Sequence, residues 1–533
     1  MHRSKGTAML KINEIKVEKD SDLSHVLKKA GRILGVRPEE IRDFKVLKKS
    51  VDARKKDNIL EVYSVLVSVE HEDRVLSKCK DKRVSKAEET GYRYPEHGEE
   101  EAEHRPVVIG FGPAGIFTAL VLAHEGYRPL VFDRGKSMEE RAEDVERFFE
   151  TGVLDPDSNV QFGEGGAGTF SDGKLSTGIK DREGRKQFVL ETFIRHGADP
   201  EIAVSHHPHI GTDRLRKVIP GIRKEIEALG GSVSFGKKLE GFIIRDGRIR
   251  GIQVSGETVQ CEDVFLCTGH SARDTYEMLF ESGIELEAKP VAVGVRAQHK
   301  REMIDKALGQ EGASYKLTYN CRDGRGVYSF CMCPGGYVIN ASSEEGHLTV
   351  NGMSYSGRDG ENSNSAIVCT VGVEDYRGFG EDALCGMRYL RELERKAYLS
   401  SKEGEGFIPC QRYGDFKEDL LSEGFGKIRP QCKGRYGFGN IRRILPEKIC
   451  NDIIEAMPSF GQKIEGFDDE DTVFSGIEAR TSSPVRVIRG EDMQSPGIMG
   501  LYPVGEGAGY AGGIMSAAID GMKAAEKYIK RYR

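Results

Sequence analysis

The 533-residue sequence predicts an α/β protein. We expect a three-layer domain that is interrupted by a mainly antiparallel domain and preceded by a small α+β domain. A strand–turn–helix–strand pattern occupies residues 106–134, short strands with glycine turns fill residues 285–435, and a further strand–turn–helix pattern occupies residues 497–529. Alternating strands and helices in the first and last stretches are typical of a sheet that carries helices on both faces.

The first of these patterns contains Gly-x-Gly-x-x-Gly at Gly110, Gly112 and Gly115. The apolar strand 107–109 precedes it, and apolar residues at helical spacing follow it. In this motif the glycines allow a tight turn, close backbone approach to a pyrophosphate, and close packing of helix on strand. Asp133 follows the second strand, where a carboxylate can accept hydrogen bonds from ribose hydroxyls. The pattern predicts a Rossmann-like dinucleotide site, and the alternative is a structural glycine turn in another α/β fold.

Composition and charge exclude several classes of protein. The formal net charge of −6 argues against a generally basic nucleic-acid binder. There is no run of about 18 apolar residues and no signal-peptide core, so we expect a soluble, cytoplasmic protein without a membrane partner. The 11 cysteines suit reduced thiols, and none form a Cys-x-x-Cys pair. His206, His207 and His209 lack carboxylates at a suitable spacing, so no metal site is predicted.

The pattern of elements divides the chain into five parts. The N-terminal part has a β-α-β-β order, and a charged run without apolar periodicity separates it from the glycine motif. The predicted parts are a small N-terminal α+β domain at 1–95, a linker at 96–105, the first part of the dinucleotide domain at 106–284, an inserted substrate domain at 285–435, and the return to the dinucleotide domain with a C-terminal helix at 436–533.

Two further glycine-rich stretches indicate ligand contacts. Residues 159–178 have six glycines and almost no hydrophobic period, and loops of this length are usually functional or disordered. Their aromatic and small residues favour an ordered backbone against a flat ligand. In the return stretch, a strand runs through Gly505 and Glu506 into a helix whose N-terminus would point at a ligand. Glu506 has an alternative role, which is to cap its own helix.

Three segments together resemble the flavoproteins of the glutathione-reductase-type FAD fold: the glycine motif with Asp133, the strand that ends in Thr268-Gly269, and residues 500–506. The similarity is closer to the branch with a single dinucleotide domain, such as the fumarate reductase flavoproteins. GEGGAGTFSDGKL, YSFCMCPGG, EARTSSPVR and GLYPVGEGAGYAGGI further resemble the uncharacterised group of FAD-dependent, or NAD(FAD)-utilising, dehydrogenases. Asp133 departs from the pattern, because most folds of this class have Glu there.

The resemblance implies FAD as the cofactor. It places the pyrophosphate at residues 110–115, the adenosine ribose at Asp133, the loop 163–175 along the flavin, and residues 506–514 over the ribityl chain and pyrimidine edge. No second Gly-x-Gly-x-x-Gly follows a strand, so NADH or NADPH would dock transiently. The motifs and the resemblance together indicate these cofactor-binding residues: Gly110, Gly112, Pro113, Ala114, Gly115, Asp133, Arg134, Gly166, Gly168, Thr169, Asp172, Gly173, Lys174, Leu175, Thr268, Gly269, Gly505, Glu506, Gly512, Gly513 and Ile514.

Few catalytic side chains are expected, because the flavin itself would carry hydride transfer. Arg480 is a candidate anion clamp for a substrate carboxylate, with ordinary ion pairing as its alternative. His270 is a candidate proton donor or a structural histidine. Cys333 lies two residues after Cys331 on one face of a predicted strand. The pair is either redox active or two small buried residues, and such pairs are strained as disulfides.

The sequence therefore predicts an FAD-dependent oxidoreductase that acts on a small, anionic substrate. A flavin-dependent tRNA-modifying enzyme is one alternative, in which the basic residues 54–56 would bind nucleic acid. Those residues are otherwise a solvated loop or a docking site for an anionic partner of the N-terminal domain. The acidic balance and the lack of a basic stripe argue against nucleic acid. A non-catalytic FAD-binding or electron-transfer protein is the other alternative.

Overall fold

The computed structural model describes residues 8–19, 21–52, 60–88, 91–205, 208–309, 312 and 314–533. Internal contacts divide the chain into two units, Met1–Arg93 with Leu175–His209 and Tyr94–Lys174 with Ile210–Arg533. The sequence did not predict that residues 175–209 group with the N-terminal part. The basic residues 54–56, and His206 and His207, lie outside the described residues. No described helix is long and apolar enough to cross a membrane.

The first unit is built on a four-stranded antiparallel sheet. Its first strand has buried side chains at Leu10, Ile12, Ile15 and Val17. A bulge between Ile12 and Ile15 keeps these apolar residues on one face although their spacing is uneven. In sheet order the strands are Ile41–Asp52, Leu60–Val69, Ala8–Glu18 and Val84–Glu88, and the helices are Leu23–Leu34, Glu72–Lys78 and Arg185–Arg195.

A five-stranded parallel sheet organises the second unit and confirms the predicted α/β class. Its strands are short, and Val107–Ile109, Val264–Leu266 and Leu501–Pro503 are completely buried, as parallel strands usually are. The strands are β1 (Val107–Ile109), β2 (Leu130–Phe132), β3 (Ser232–Ser234), β4 (Val264–Leu266) and β5 (Leu501–Pro503), in the order β5-β4-β1-β2-β3. Because this order reverses at β1, a ligand site is expected where the carboxyl ends of β1 and β4 meet.

Two helices of this unit pack against each other. The helix α1 (Pro113–His124) is apolar on all sides, and its residues 114–123 are all buried. The helix α2 (Ile514–Ile529) approaches it so closely that a Cβ on Gly521 would overlap the carbonyl oxygen of Ala114. The other helices of the α/β part are Met138–Thr151, Thr212–Ala228 and Arg273–Glu281.

Asp246-Gly247, within LEGFIIRDGRIRGIQV, predicts a β-hairpin turn, and the hairpin is present. Strands Leu239–Arg245 and Arg248–Val254 pair antiparallel, and a third strand, Glu257–Gln260, extends the sheet. Asp246 and Gly247 both have positive φ, 51° and 69°, which is the turn geometry that suits the twist of a two-residue hairpin.

A seven-stranded, mainly antiparallel sheet follows in the chain. Its strand Val473–Glu478 is completely buried between Val291–Lys300 and Ile408–Arg412. The predicted boundary at residue 435 is therefore too early, because pairing between strands so distant in sequence leaves no local pattern. In sheet order the strands are Thr318–Asn320, Gly326–Cys333, Asn362–Val371, Val291–Lys300, Val473–Glu478, Ile408–Arg412 and Tyr436–Phe438.

Smaller elements accompany this sheet. One three-stranded sheet contains Val350–Met353, Tyr337–Asn340 and Cys432–Lys433, and Leu286–Ala288 pairs with Val485–Val487. The helices of the region are Arg301–Leu308, Cys385–Leu399, Tyr413–Lys417 and Glu447–Lys463.

The segment predicted as a linker, residues 96–105, is hydrogen-bonded to the C-terminal residues of the chain. The backbone N–H of Gly98 donates to the carbonyl oxygens of Ile529 and Tyr532, both at 2.9 Å. The N–H of Glu100 donates to the carbonyl oxygen of Arg531 at 3.1 Å. Backbone hydrogen bonds therefore hold this segment within the second unit.

The packing of α1 on α2 leads to a stability prediction. At position 521 a Cβ would also lie 2.7 Å from Oγ1 of Thr118. We expect Gly521→Ala to lower the free energy of unfolding by about 1–3 kcal/mol, because overpacking displaces the backbone. Gly241→Ala is the control, since a Cβ there meets no described atom within 4 Å. Equal denaturant midpoints for the two variants would contradict the close packing.

Candidate functional site

The N-terminus of α1 lies at the carboxyl end of β1, beside the switch point of the sheet. Its N-cap is Gly112, which provides no capping side chain, and its first residue is Pro113. A helix start of this kind presents unpaired backbone N–H groups and the positive end of the helix dipole. Both favour a phosphate at this position.

The three motif glycines are needed for different reasons. Gly110 has φ 96°, and a Cβ there would lie 2.7 Å from the carbonyl oxygen of Cys267. A Cβ on Gly115 would overlap the carbonyl oxygen of Gly110. Among the described residues, a Cβ on Gly112 would meet only the Cα of Gly166, at 3.6 Å. The fold leaves room at Gly112, so a ligand that approaches the backbone there accounts for the glycine.

The glycine-rich loop lies against the starts of both helices. The N–H of Gly165 donates to the carbonyl oxygen of Phe111 at 2.8 Å. A Cβ on Gly166 would lie 2.9 Å from the Cα of Gly112, and a Cβ on Gly168 would lie 2.9 Å from Cγ1 of Ile514. Three segments thus meet at one place, and we call them the glycine cradle: residues 110–115, 163–168 and 505–514.

A buried arginine fixes the loop. Arg141 is completely buried, and its guanidinium donates to the carbonyl oxygens of Asn159, Val160 and Glu164 at distances of 2.6 to 3.0 Å. It also donates to the carbonyl of Gly163 at 3.3 Å. One side chain therefore satisfies four backbone acceptors at the start of the glycine-rich loop, and holds that part of the glycine cradle in place.

The start of α2 belongs to the same cradle. The N–H of Gly513, the N-cap of α2, donates to Oε2 of Glu506 at 3.3 Å, so Glu506 binds the start of its own helix. Oε1 of Glu506 lies 3.5 Å from Nδ1 of His270. Burial lowers the pKa of His270. A Cβ on Gly269, Gly512 or Gly513 would meet no described atom within 4 Å, so these glycines border open space.

Asp133 links the ends of β1 and β2. Its carboxylate accepts the backbone N–H of Phe111 at 2.7 Å and that of Gly135 at 2.8 Å. A carboxylate accepts about four hydrogen bonds, so these two leave capacity for a ribose hydroxyl. Arg134 donates to both oxygens of Asp274, at 2.8 and 2.9 Å, and so acts as an ion-pair partner here.

The end of the predicted cofactor loop is charged and buried. Asp172 and Lys174 pair at 2.8 Å, and Lys174 also donates to the carbonyl oxygen of Met332. The carbonyl of Gly173 accepts the N–H of Ile210 at 3.1 Å. The other predicted residues of this loop are Thr169, whose carbonyl accepts a hydrogen bond from Oγ1 of Thr212, and Leu175, which is buried and belongs to the first unit.

Arg480 is in a buried ion pair and does not have the geometry of a substrate clamp. Its Nε and Nη2 donate to the two oxygens of Glu394 at 2.9 and 2.8 Å, and Nη1 donates to Oγ of Ser343 at 2.5 Å. Glu394 is completely buried and also accepts two hydrogen bonds from Arg273. Burial would raise the pKa of Glu394, but Arg273 and Arg480 together lower it to about 2. We therefore reassign Arg480 from anion clamp to this network.

Cys331 and Cys333 lie on a β-bulge. The register against Asn362–Val371 shifts between Phe330 and Cys333, and Cys331 has φ 44°. The expected regular strand with both side chains on one face is therefore wrong, because an extra residue breaks the alternation. Neither cysteine belongs to the glycine cradle.

Several residues that shape the site were missed from the sequence. The hydroxyl of Tyr276 donates to the carbonyl of Gly507 at 2.6 Å, and the carboxylate of Asp520 accepts the N–H of Gly505 at 2.8 Å. Both bonds hold the turn before α2, and no spacing rule indicates them. Arg141 could have been identified from the sequence, because it is a charged residue at an otherwise apolar position of the amphipathic helix Met138–Thr151.

These features fit the phosphates of a dinucleotide. Two glycine-capped helix starts and a glycine-rich loop converge at the switch point of a parallel sheet. The backbone is kept free of side chains where a ligand would approach, and N–H groups supply the hydrogen-bond donors.

Comparison with known proteins agrees with this geometry. Residues 290–481 match the family described as "FAD-dependent protein, C-terminal domain-like", and this stretch coincides with the seven-stranded sheet. Residues 9–68 match a domain family of unknown function. A Clostridium beijerinckii protein, described as an uncharacterized protein, is 45% identical over 534 residues, which covers 98% of this chain and 99% of that protein. The chain belongs to the same family as that protein.

Solved structures are less similar to this chain than the Clostridium beijerinckii protein is. Glycine oxidase from Bacillus cereus is 10% identical, with 80% of this chain and 98% of that chain covered and a TM-score of 0.35. CtdE in complex with FAD is 11% identical, with 80% and 83% covered and a TM-score of 0.30. The FAD-dependent domain match confirms FAD as the cofactor that the sequence predicts.

The room at Gly112 leads to a cofactor prediction. We expect Gly112→Val to fold with a Tm close to that of the wild type measured without FAD, because the described neighbours leave space for the side chain. The variant should lose FAD, because the valine would occupy the path of the pyrophosphate. Flavin absorbance after purification and a fluorescence titration with FAD measure this. Full FAD retention by the folded variant would place the pyrophosphate elsewhere.

The Glu394 network leads to a prediction about stability. Arg480→Met should lower the free energy of unfolding by about 3–5 kcal/mol, because it removes one partner of a buried carboxylate. Arg486→Met is the matched control, since Arg486 comes from the same polar segment but pairs with Glu287 at an exposed position, where a pair contributes about 0–1 kcal/mol. Equal stability of the two variants would refute the network.

The same network predicts a pH dependence. The pKa of Glu394 is about 2 in the folded protein, below the ordinary value of 4.5 that applies to the unfolded chain. Its contribution to stability is therefore complete above the unfolded value and is lost as the pH falls toward the folded one. Denaturant unfolding of the wild type and of Arg480→Met at a series of acidic pH values should show the difference between them shrinking as the pH falls. A constant difference would contradict the assignment.

Proposed function

We propose that this protein is an FAD-dependent oxidoreductase that acts on a small molecule. The observation that carries the proposal is the glycine cradle at the switch point of the parallel sheet, beside a domain that matches an FAD-dependent family. The likeness of several sequence motifs to the single-dinucleotide-domain flavoproteins agrees with it. Hydride transfer at the flavin is the chemistry that FAD would supply.

The residues of the chain would bind and orient the cofactor. Backbone N–H groups at the start of α1 would hold the pyrophosphate, and Asp133 would use its remaining acceptor capacity for the ribose. The N-terminus of α2 would direct its N–H groups at negative charge that develops on reduction, where preorganised donors are effective. Arg141 would keep the loop in the position that this requires.

His270 and Glu506 form the pair that is best placed to handle a proton. Nδ1 of His270 lies 3.5 Å from Oε1 of Glu506, and both follow strands whose carboxyl ends meet at the cradle. With its pKa lowered by burial, His270 is neutral near pH 7, so it would accept a proton at a ring nitrogen and share it with Glu506.

The position of Arg480 changes the substrate that we propose. The prediction of an anionic substrate rested on Arg480, which the structure places in the Glu394 network. We therefore propose a small-molecule substrate without a defined charge. Electrons would reach the flavin from NADH, from NADPH or from the substrate itself.

Anaerobic titration tests this function. We expect purified protein to be yellow, and its flavin absorbance to be lost on addition of NADH, NADPH or a member of a metabolite panel. Gly112→Val protein, incubated with FAD and desalted, is the control for free flavin. A flavoprotein that dithionite reduces but none of these donors reduces would favour the electron-transfer alternative. Protein that binds no FAD would overturn the proposal.

A further inference from the structure

The two cysteines at the bulge differ in their access to solvent. Cys331 is half-buried, whereas Cys333 is completely buried. The thiol of Cys333 donates to the carbonyl oxygen of Cys331 at 3.3 Å. A partly exposed cysteine thus has a completely buried cysteine as its neighbour.

Two cations face this pair. Arg296 is completely buried, and its Nη1 donates to Sγ of Cys333 at 3.8 Å while Nη2 donates to the carbonyl of Cys331 at 2.9 Å. Lys174, which pairs with Asp172 at 2.8 Å, donates to the backbone carbonyl between the two cysteines. The two cations favour a thiolate at Cys331, and the carboxylate of Asp172 opposes them in part.

The pKa values of the two thiols shift in opposite directions. The hydrogen bond from Cys333, and then the charges of Lys174 and Arg296, lower the pKa of Cys331. Burial, and then the neighbouring Cys331, raise the pKa of Cys333. Glu478 pairs with Arg296 at 3.1 Å, but burial raises the pKa of Glu478 to about 7, so it neutralises Arg296 only in part near neutral pH.

Another pair of cysteines, Cys410 and Cys432, provides a contrast. Cys432 is half-buried and Cys410 is completely buried, as in the first pair. The hydrogen bond with Cys410 and burial raise the pKa of Cys432. Its described polar neighbour is the amide of Gln298, at 3.8 Å, instead of a cation. Cys331 and Cys432 therefore have the same partial exposure and a neighbouring thiol. The nearby cations distinguish Cys331 from Cys432.

We propose that Cys331 and Cys333 form a redox-active pair that reduces a hydroperoxide and closes to a reversible disulfide. An accessible thiolate next to a resolving cysteine is the arrangement found in redox-responsive proteins. This activity differs from hydride transfer at a flavin, because the two sulfurs themselves supply the electrons.

The reaction has two steps. The Cys331 thiolate attacks the terminal oxygen of the hydroperoxide, so that an S–O bond forms, the O–O bond breaks, and the leaving alkoxide takes up a proton from water. The sulfur of Cys333 then attacks the Cys331 sulfenic acid, the S–O bond breaks, and water leaves with the Cys333 proton. The two sulfurs together lose two electrons, which reduce the hydroperoxide to an alcohol and water.

Alkylation and peroxide treatment of the full-length protein test the proposal. With iodoacetamide at about pH 6, peptide mapping should show Cys331 modified at least about tenfold faster than Cys432. Lys174→Met should slow this modification, and Lys402→Met, at an exposed site, should not. Hydrogen peroxide should then convert the peptide with both cysteines into a form that lacks two hydrogens and that dithiothreitol restores.

The controls separate a redox pair from incidental oxidation. Cys331→Ser should abolish the loss of hydrogens, whereas Cys432→Ser should leave it unchanged. Alkylation of Cys331 no faster than that of Cys432 in the wild type would overturn the proposal, and this measurement does not depend on any variant. Accumulation of sulfinic acid at Cys331 without a disulfide would also overturn it.

Discussion

The approach of the loop backbone at Gly166 to the helix start at Gly112 is the contact on which the rest of the site depends. A Cβ on Gly166 would lie 2.9 Å from the Cα of Gly112, so the glycine at position 166 sets the shape of the cradle, whereas the fold leaves room for a side chain at position 112. The same loop then meets Ile514 at the start of α2, which packs along α1 through Gly521. One set of close backbone contacts therefore fixes two helix N-termini relative to the parallel sheet, and it leaves their donors directed at one place.

Buried charges stabilise the segments around this contact. Arg141 donates to four carbonyl groups, and Glu394 is shared by Arg273 and Arg480. Burial of a charge is unfavourable unless each polar atom is satisfied, so such networks permit few alternative arrangements. A second buried network, around Arg296, surrounds the two cysteines and gives them different properties.

The sequence predicted the features that have short-range causes. The glycine motif with its strands predicted the Rossmann-like half, and Asp246-Gly247 predicted a hairpin, because both depend on neighbouring residues. Other features depend on pairing between distant residues. The strand Val473–Glu478 pairs with strands that are distant in the sequence. Arg480 likewise pairs with Glu394, which lies 86 residues earlier in the chain. The bulge at Cys331 was also not predicted, because it is a shift of register against the neighbouring strand, and the residue types of the strand do not indicate it.

The central claim is that the pyrophosphate of FAD binds at the glycine cradle, and a crystal structure of the protein with FAD bound tests it most directly. The account predicts pyrophosphate oxygens within about 3.2 Å of backbone N–H groups at the start of α1, with the loop residues 163–168 beside them. A pyrophosphate bound at any other part of the second unit, with the start of α1 left in solvent, would contradict the account.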